Sequence, residues 1–120
     1  MSKTSQTQSA EERKYLTRAE ECKKAEDTAG MVQAYLEASE KFNSAEAQYQ
    51  LGEYYSSNDD NALANRYYHL AAEQGHPLAQ VALGEKYSNG YMGLPRNILL
   101  GLYWKAKAIA QKDPAAERYL

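Results

Sequence analysis

One segment of this chain recurs after 32 residues, and this repeat restricts the fold more than any other feature of the sequence. The segment AEAQYQLGEYYS at 45–56 returns as PLAQVALGEKYS at 77–88. A following segment, NALANRYYHLAAEQG, resembles the later NILLGLYWKAKAIAQ, with Tyr67 matching Trp104 at a step of 37 residues. Periods of this length are typical of proteins built from stacked structural repeats.

The local sequence predicts helices along nearly the whole chain. Helix-forming residues such as Ala, Glu, Leu, Lys and Gln dominate, and no run alternates apolar and polar residues as a strand would. Ser9 followed by Glu12 fits a capping box, which marks the start of a helix. Asn43 followed by Glu46 resembles one, and Pro77 is typical of a first helical position. The predicted helices span roughly 10–25, 29–41, 44–57, 60–74, 77–89 and 97–111, and a seventh begins near 114.

Two short helices cannot bury their apolar stripes alone, so the repeats must stack to form a continuous core. Small residues at repeat positions allow the two helices of a pair to approach closely, and aromatic residues fill the space between layers. The predicted repeat core consists of Leu51, Gly52, Tyr55, Ala64, Tyr67, Ala71, Leu83, Gly84, Tyr87, Trp104 and Ala108. We therefore predict an all-α fold in which helix pairs stack into a curved solenoid.

These motifs resemble a known family of repeats. Along each repeat the motifs follow one another as L-G-x-x-Y, then Asp or Asn, then A-x-x-W/Y, then A-A-E-x-G. This sequence of motifs is similar to the Sel-one-like (Sel1-like) repeat, a relative of the tetratricopeptide repeat. The resemblance is good over residues 43–120 and poor over 10–42. It implies a right-handed α/α superhelix of antiparallel helix pairs that acts as an adaptor for other proteins.

The repeat boundaries give the domain organisation that we expect. Residues 1–9 are predicted to be a disordered polar lead, and residues 10–120 a single α/α solenoid domain. Within the solenoid, the parts are a degenerate pair at 10–42, a repeat at 43–76, a repeat at 77–113, and the start of a further helix at 114–120.

Composition narrows the classes of function. The formal net charge is −2, with 25% charged residues, so the surface lacks the basic excess that binds nucleic acid. No run approaches the roughly 20 apolar residues of a membrane span, and the opening segment lacks the apolar stretch of a signal peptide. Cys22 is the single cysteine, which excludes an internal disulfide and fits the cytoplasm. We expect no nucleic-acid partner and no membrane partner.

The candidates for chemistry are few. His69 and His76 are the only histidines, whereas a metal site normally needs three or four close ligands. Cys22 is better explained as a small buried residue than as a nucleophile. No phosphate-binding loop or nucleophile elbow is present. We therefore expect no enzymatic activity, no cofactor and no metal, and we interpret His69 as a helix residue and His76 as a cap between helices.

One row of residues points to partner binding. In repeat solenoids of this kind the first helix of each pair lines the concave face, and the residue after the Leu-Gly step should point there. The predicted row contains Glu21, Glu53 and Glu85, with Ser56 and Ser88 one turn later and Tyr49 and Val81 one turn earlier. Carboxylates above an aromatic and aliphatic floor suit a basic partner segment. The alternative is an ordinary solvated helix face.

Three functions remain open at this point. The leading prediction is a non-catalytic adaptor that binds a protein or peptide on its concave face. A bacterial immunity-type protein that neutralises a toxin is an alternative within the same class. The other alternative is a structural scaffold, because the sequence stops at Leu120 inside a new helix, and an uncovered end of this kind is expected to stack on a second copy.

Overall fold

The computed structural model describes the backbone of residues 2–91 and 93–120 and the side chains of residues 9–91 and 93–120. These residues form seven helices: α1 (Ser2–Lys24), α2 (Thr28–Phe42), α3 (Ala45–Ser57), α4 (Asn61–Glu73), α5 (Pro77–Asn89), α6 (Ile98–Gln111) and α7 (Pro114–Glu117). The closest packing is within the pairs α1–α2, α3–α4 and α5–α6, and each pair also packs on the next. The predicted all-α solenoid of stacked helix pairs is confirmed.

The first helix starts earlier than the sequence predicts. Its backbone is helical from Ser2, whereas the predicted helix begins near residue 10 after a disordered lead at 1–9. Residues 2–9 contain neither Pro nor Gly, so nothing in the local sequence stops the helix there. Ser9 lies inside α1 and is not its cap, which corrects the capping-box assignment. Met1 lies outside the described residues.

The helix starts repeat with the same period as the core. Ser44, His76 and Asp113 cap α3, α5 and α7, and each side chain accepts a hydrogen bond from the backbone N–H three residues later. The sequence analysis assigned the cap of α3 to Asn43, and this assignment is wrong. Asn43 instead ends α2 in the left-handed conformation, with φ of 51°. Asparagine tolerates that conformation, and the next residue, Ser44, acts as the cap of α3.

The core is built at the predicted repeat positions. Every predicted core residue is buried except three half-buried tyrosines, Tyr55, Tyr67 and Tyr87. Tyr55 and Tyr67 stack with their ring centroids 5.8 Å apart, and Tyr55 packs against both of the larger buried clusters. A residue that the core prediction omitted, Tyr68, is only 2% exposed. The ring that is buried most completely at this position is therefore that of Tyr68 and not that of Tyr67.

Glycine permits the close approach of the two helices in the α5–α6 pair. A Cβ atom placed at Gly101 would lie 2.9 Å from the backbone oxygen of Gly84, and the hydroxyl of Ser88 occupies the adjacent space. In the α3–α4 pair, a Cβ atom at Gly52 would lie 2.9 Å from ring atoms of Tyr68. These contacts leave no room for a side chain at either crossing. No helix in the described part of the chain is long and apolar enough to cross a membrane.

Candidate functional site

A small pocket lies on the face formed by α3 and α5. It has a volume of about 170 Å³. Its lining, called the tyrosine pocket below, consists of Tyr49, Glu53, Leu78, Val81, Ala82, Glu85 and Tyr119. Four of these residues come from the row that the repeat spacing predicts as a partner-binding face, and they are Tyr49, Glu53, Val81 and Glu85. The 32-residue step places equivalent side chains of two repeats beside one another.

The other three predicted site residues lie elsewhere. Ser56 contacts the hydroxyl of Tyr68, and Ser88 lies against Gly101, so both serine side chains are used inside helix pairs. Glu21 lies on the exposed side of α1, in a separate depression that also contains Arg13, Lys14 and Arg18. Three residues along a helix leave a side chain about 60° from the direction of the first one. That offset is enough to bring Ser56 and Ser88 to the partner helix of each pair. The predicted row is therefore shorter than the sequence indicates.

The carboxylate of Glu53 is engaged within the protein. The hydroxyl of Tyr68 donates a hydrogen bond to Oε2 of Glu53 over 2.5 Å. Burial raises the pKa of Tyr68, and the nearby Glu53 carboxylate raises it further. Glu53 thus fixes the buried Tyr68 ring in position, and a purely solvated acidic residue would not have this role.

A lysine lies behind the two carboxylates. Lys86 is buried, and its Nζ lies 5.0 Å from the centroid of the Tyr68 ring. Burial lowers the pKa of the Lys86 ammonium, and the carboxylates of Glu53 and Glu85 partly offset that effect. The acidic face predicted from sequence therefore contains one buried positive charge. Glu85 remains an exposed carboxylate at the edge of the tyrosine pocket.

Tyr49 forms one wall of the pocket and is held from behind by His76. The two rings stack with centroids 4.7 Å apart and planes 17° apart. Burial raises the pKa of Tyr49 to about 12, with further contributions from Glu53 and from Tyr119, which also lines the pocket. Tyr49 and Tyr119 therefore lie near each other in the lining of the pocket.

His76 is used for structure through both of its ring nitrogens. Nδ1 accepts a hydrogen bond from the N–H of Ala79, so the proton must lie on Nε2, which donates to Oε1 of Glu46 over 2.8 Å. Burial raises the pKa of Glu46, but the hydrogen bonds from His76 and Gln50 outweigh it and hold the pKa below its ordinary value. The interpretation of His76 as a cap between helices is confirmed.

The remaining chemical candidates also have local partners. Nε2 of His69 lies 2.9 Å from the hydroxyl of Tyr87, and Nδ1 lies 2.7 Å from the backbone oxygen of Asn65. Cys22 is half-buried, and burial together with Asp27 raises the pKa of its thiol, which disfavours the reactive thiolate. Among the described residues, no three potential metal-ligating side chains cluster.

Sequence reasoning did not assign five residues to the site. Leu78, Ala82 and Tyr119 line the pocket, and Tyr68 and Lys86 lie behind it. Tyr68 adjoins Tyr67 at the repeat position and is typical of interlayer packing, so its hydrogen bond to Glu53 has no signal in the sequence. Lys86 follows the exposed Glu85, and a lysine at such a position is ordinarily expected on the surface. Tyr119 belongs to the last segment, for which the chain offers no second copy to compare. Only the match between the α7 start and the α5 start, at a step of 37 residues, indicates that the last segment returns to the same face.

A second surface is apolar and exposed. The large apolar side chains of the described residues that are most exposed all lie between 91 and 120. On α6, Leu102 and Ile109 are each 55% exposed. Ala106 lies between them, so the spacing of the three residues puts them on one face of the helix. Together with Leu120 they line a depression. We call the set Leu102, Ala106, Ile109, Tyr119 and Leu120 the C-terminal apolar surface.

No curated protein and no solved structure matches this chain significantly. The model of the Sel1 repeat matches twice, at residues 45–76 and 77–113, which are the segments that form α3–α4 and α5–α6. Because the two matches cover more than half of the chain, this protein belongs to the Sel1-like repeat family, whose repeats are in general protein–protein interaction modules.

Proposed function

We propose that this protein is a non-catalytic adaptor that binds a protein or peptide partner on the face formed by α3 and α5. The observation that carries the proposal is the tyrosine pocket, in which two consecutive repeats contribute equivalent residues to one depression. Most polar groups of the repeats are used within the fold, whereas this face combines exposed carboxylate, aromatic rings and aliphatic side chains. Such a combination suits a protein surface better than a small-molecule reaction.

The partner is proposed to present a basic segment. Glu53 and Glu85 outnumber the single buried Lys86 at the pocket, so the local charge is negative. A basic segment would associate faster and with greater selectivity at such a face. The proposed location is the cytoplasm, a reducing compartment in which the free Cys22 is expected to stay a thiol.

The proposal is tested by comparing captured proteins between surface variants. The protein is immobilised as wild type, as Glu85→Arg, and as the control Glu73→Arg, which changes an exposed carboxylate on α4 outside the pocket. We expect one partner to be retained by the wild type and the control and lost from Glu85→Arg. A partner retained equally by all three forms would place the interface elsewhere, and the failure of every host fraction to yield a stoichiometric partner would contradict the adaptor function.

Self-association is a second candidate, favoured by the C-terminal apolar surface. Ile109 and Ala106 lie 37 residues after Ala72 and His69 on α4. In α4 those positions are covered by α5, because Gln80 donates to the backbone oxygen of Ala72 and Tyr87 contacts His69. The face of α6 that corresponds to a buried packing face is thus exposed, and a second copy could cover it.

A further inference from the structure

The size of the tyrosine pocket restricts what it can hold. A cavity of about 150 Å³ accommodates one benzene-sized molecule. The tyrosine pocket has a volume of about 170 Å³, so it can receive one side chain and not an extended stretch of peptide. A partner would therefore use a single anchor residue here, and the remaining contacts would lie on the surrounding surface.

The lining of the pocket defines the chemistry of that anchor. Leu78, Val81 and Ala82 of α5 form an aliphatic side, which suits a methylene chain. Tyr49 and Tyr119 provide two aromatic rings, and the electron-rich face of an aromatic ring attracts cations. An anchor with an apolar stem and a positively charged end satisfies both parts of the lining.

The charges at the pocket favour the same anchor. Glu53 already accepts a hydrogen bond from Tyr68 and faces the buried Lys86. Glu85 is exposed at the rim and can approach an incoming cation without breaking a hydrogen bond of the α3–α4 pair. An anionic or neutral anchor would bring no compensation for Glu85, and a purely apolar anchor would bury that carboxylate without a partner.

Of the two basic residues that could serve as the anchor, lysine and arginine, arginine suits the pocket better. The guanidinium group is planar and more weakly hydrated than an ammonium, so it stacks on aromatic rings and can make two parallel hydrogen bonds to one carboxylate. We propose that the tyrosine pocket binds one arginine side chain of the protein partner, with the stem along Val81 and Ala82, the guanidinium between the tyrosine rings, and its charge at Glu85. This inference rests on the proposed function of the α3–α5 face.

The test uses peptides of defined composition and the whole protein. The probe is an acetylated and amidated pentapeptide with arginine between glycines, and the matched probe replaces arginine by citrulline, which has the same shape and no charge. Binding is followed by NMR through the methyl signals of Leu78, Val81 and Ala82. We expect saturable shifts of these signals with the arginine peptide and at least about tenfold weaker binding of the citrulline peptide, as the loss of a charge-assisted hydrogen bond predicts.

Two variants separate the pocket from a general acidic surface. Glu85→Gln should weaken binding of the arginine peptide about tenfold, whereas Glu73→Gln on α4 should leave it unchanged. Equal binding of the arginine and citrulline peptides, tighter binding of a lysine peptide, or no saturable shift at millimolar peptide would overturn the inference. A protein partner that still depends on Glu85 when the arginine peptide fails would leave the adaptor function standing, so the two failures are distinguishable.

Discussion

At the scale of single residues, Tyr68 connects the packing of the fold to the candidate site. Its ring lies against the backbone at Gly52, where a Cβ atom would approach ring carbons to 2.9 Å. Its hydroxyl donates to Glu53, which lines the tyrosine pocket, and Lys86 lies over its ring. A change at this one side chain therefore alters both the α3–α4 crossing and the position of a pocket carboxylate.

We predict that Tyr68→Phe lowers the free energy of unfolding by about 1.5–3 kcal/mol, because the hydrogen bond that it removes ends on a charged group. The ring and its packing against Gly52 remain, so the helical content should not change. The measurement is chemical denaturation followed by circular dichroism.

The control for this prediction is a double-mutant cycle with Glu53→Leu, because a glutamine at this position would still offer an acceptor oxygen to Tyr68. If the two groups interact as the structure shows, the double variant should lose less stability than the sum of the single variants. Additive losses would contradict the assigned hydrogen bond.

At the scale of elements, the turns between helix pairs carry a repeated polar arrangement. The side chain of Gln74 donates to the backbone oxygen of Asn43 and to Gln48. In the next pair, Gln111 donates to the backbone oxygen of Gly75 and to Gln80. Gln48 and Gln80 are buried, so these bonds satisfy polar groups that water does not reach. They tie the end of each pair to its own first helix and to the turn that precedes the pair.

The cap of α5 gives a prediction at the same scale. His76→Ala should lower the free energy of unfolding by about 1–2 kcal/mol, because the N–H of Ala79 loses its acceptor. His76→Asn does not stack on Tyr49, but it supplies a new acceptor for the N–H of Ala79. If the cap dominates, His76→Asn should recover most of the stability that His76→Ala loses. Chemical denaturation of the three proteins measures both effects.

Equal losses in the Ala and Asn variants would show that stacking on Tyr49 and the bond to Glu46 dominate, and that the cap contributes little. The Glu46→Gln variant distinguishes these contributions. The pKa of Glu46 lies below its ordinary value, so its stabilising effect is present above that value and is lost as pH falls through the folded pKa. The difference between wild type and Glu46→Gln should therefore shrink in acid.

At the scale of the whole molecule, the exposed apolar side chains are concentrated at one end of the solenoid. The α3–α4 pair is covered on both sides, whereas α6 presents Leu102 and Ile109 at positions that are covered in α4. Contacts in a solenoid join neighbouring repeats, so a helix face on which no repeat is packed stays exposed. The asymmetry of this surface is consequently a property of the stack and not of any one helix.

If this end self-associates, light scattering should show a dimer whose population rises with concentration in the micromolar range. The variant Leu102→Glu places a charge in the C-terminal apolar surface and should shift the population toward the monomer, as should removal of residues 114–120. Tyr91→Glu changes an exposed apolar residue outside that surface and serves as the control. A wild-type protein that remains monomeric at all concentrations would exclude this candidate function.

The buried tyrosines also predict that the folded protein loses stability at alkaline pH. Burial raises the pKa of both Tyr35 and Tyr49 to about 12, and it raises the pKa of Tyr68 as well. A pKa that is higher in the folded state means that the stabilisation is complete below about pH 10, the ordinary value, and declines as pH rises toward the folded value. Unfolding free energy should therefore fall above about pH 10.

Ultraviolet absorbance at the tyrosinate band and far-ultraviolet circular dichroism, recorded over the same pH range, test this limit. The two signals should change together for the buried tyrosines. The Tyr35→Phe variant should show a shallower decline of stability with pH. Ionisation of all tyrosines near pH 10 without loss of helicity would contradict the assigned burial.

The sequence by itself determined the helix pairs, most of the helix starts and the face on which a partner is expected. A repeat of 32 residues places Glu53 beside Glu85 and Tyr49 beside Val81 whatever the details of packing, because equivalent positions on successive first helices face the same way. The cap at His76 was readable for a similar reason, since a cap acts on the backbone only three residues away.

Only the tertiary structure decided which side chains complete the site. The bond between Tyr68 and Glu53, the burial of Lys86 and the turn of Ser88 toward Gly101 depend on how each helix is rotated at its crossing. A repeat period fixes which residues are equivalent, but it does not fix that rotation, which results from the fit of rings and glycines across the pair. For that reason the acidic row predicted from the sequence is a compact pocket, which the exposed carboxylate of Glu85 lines together with Tyr49 and Tyr119.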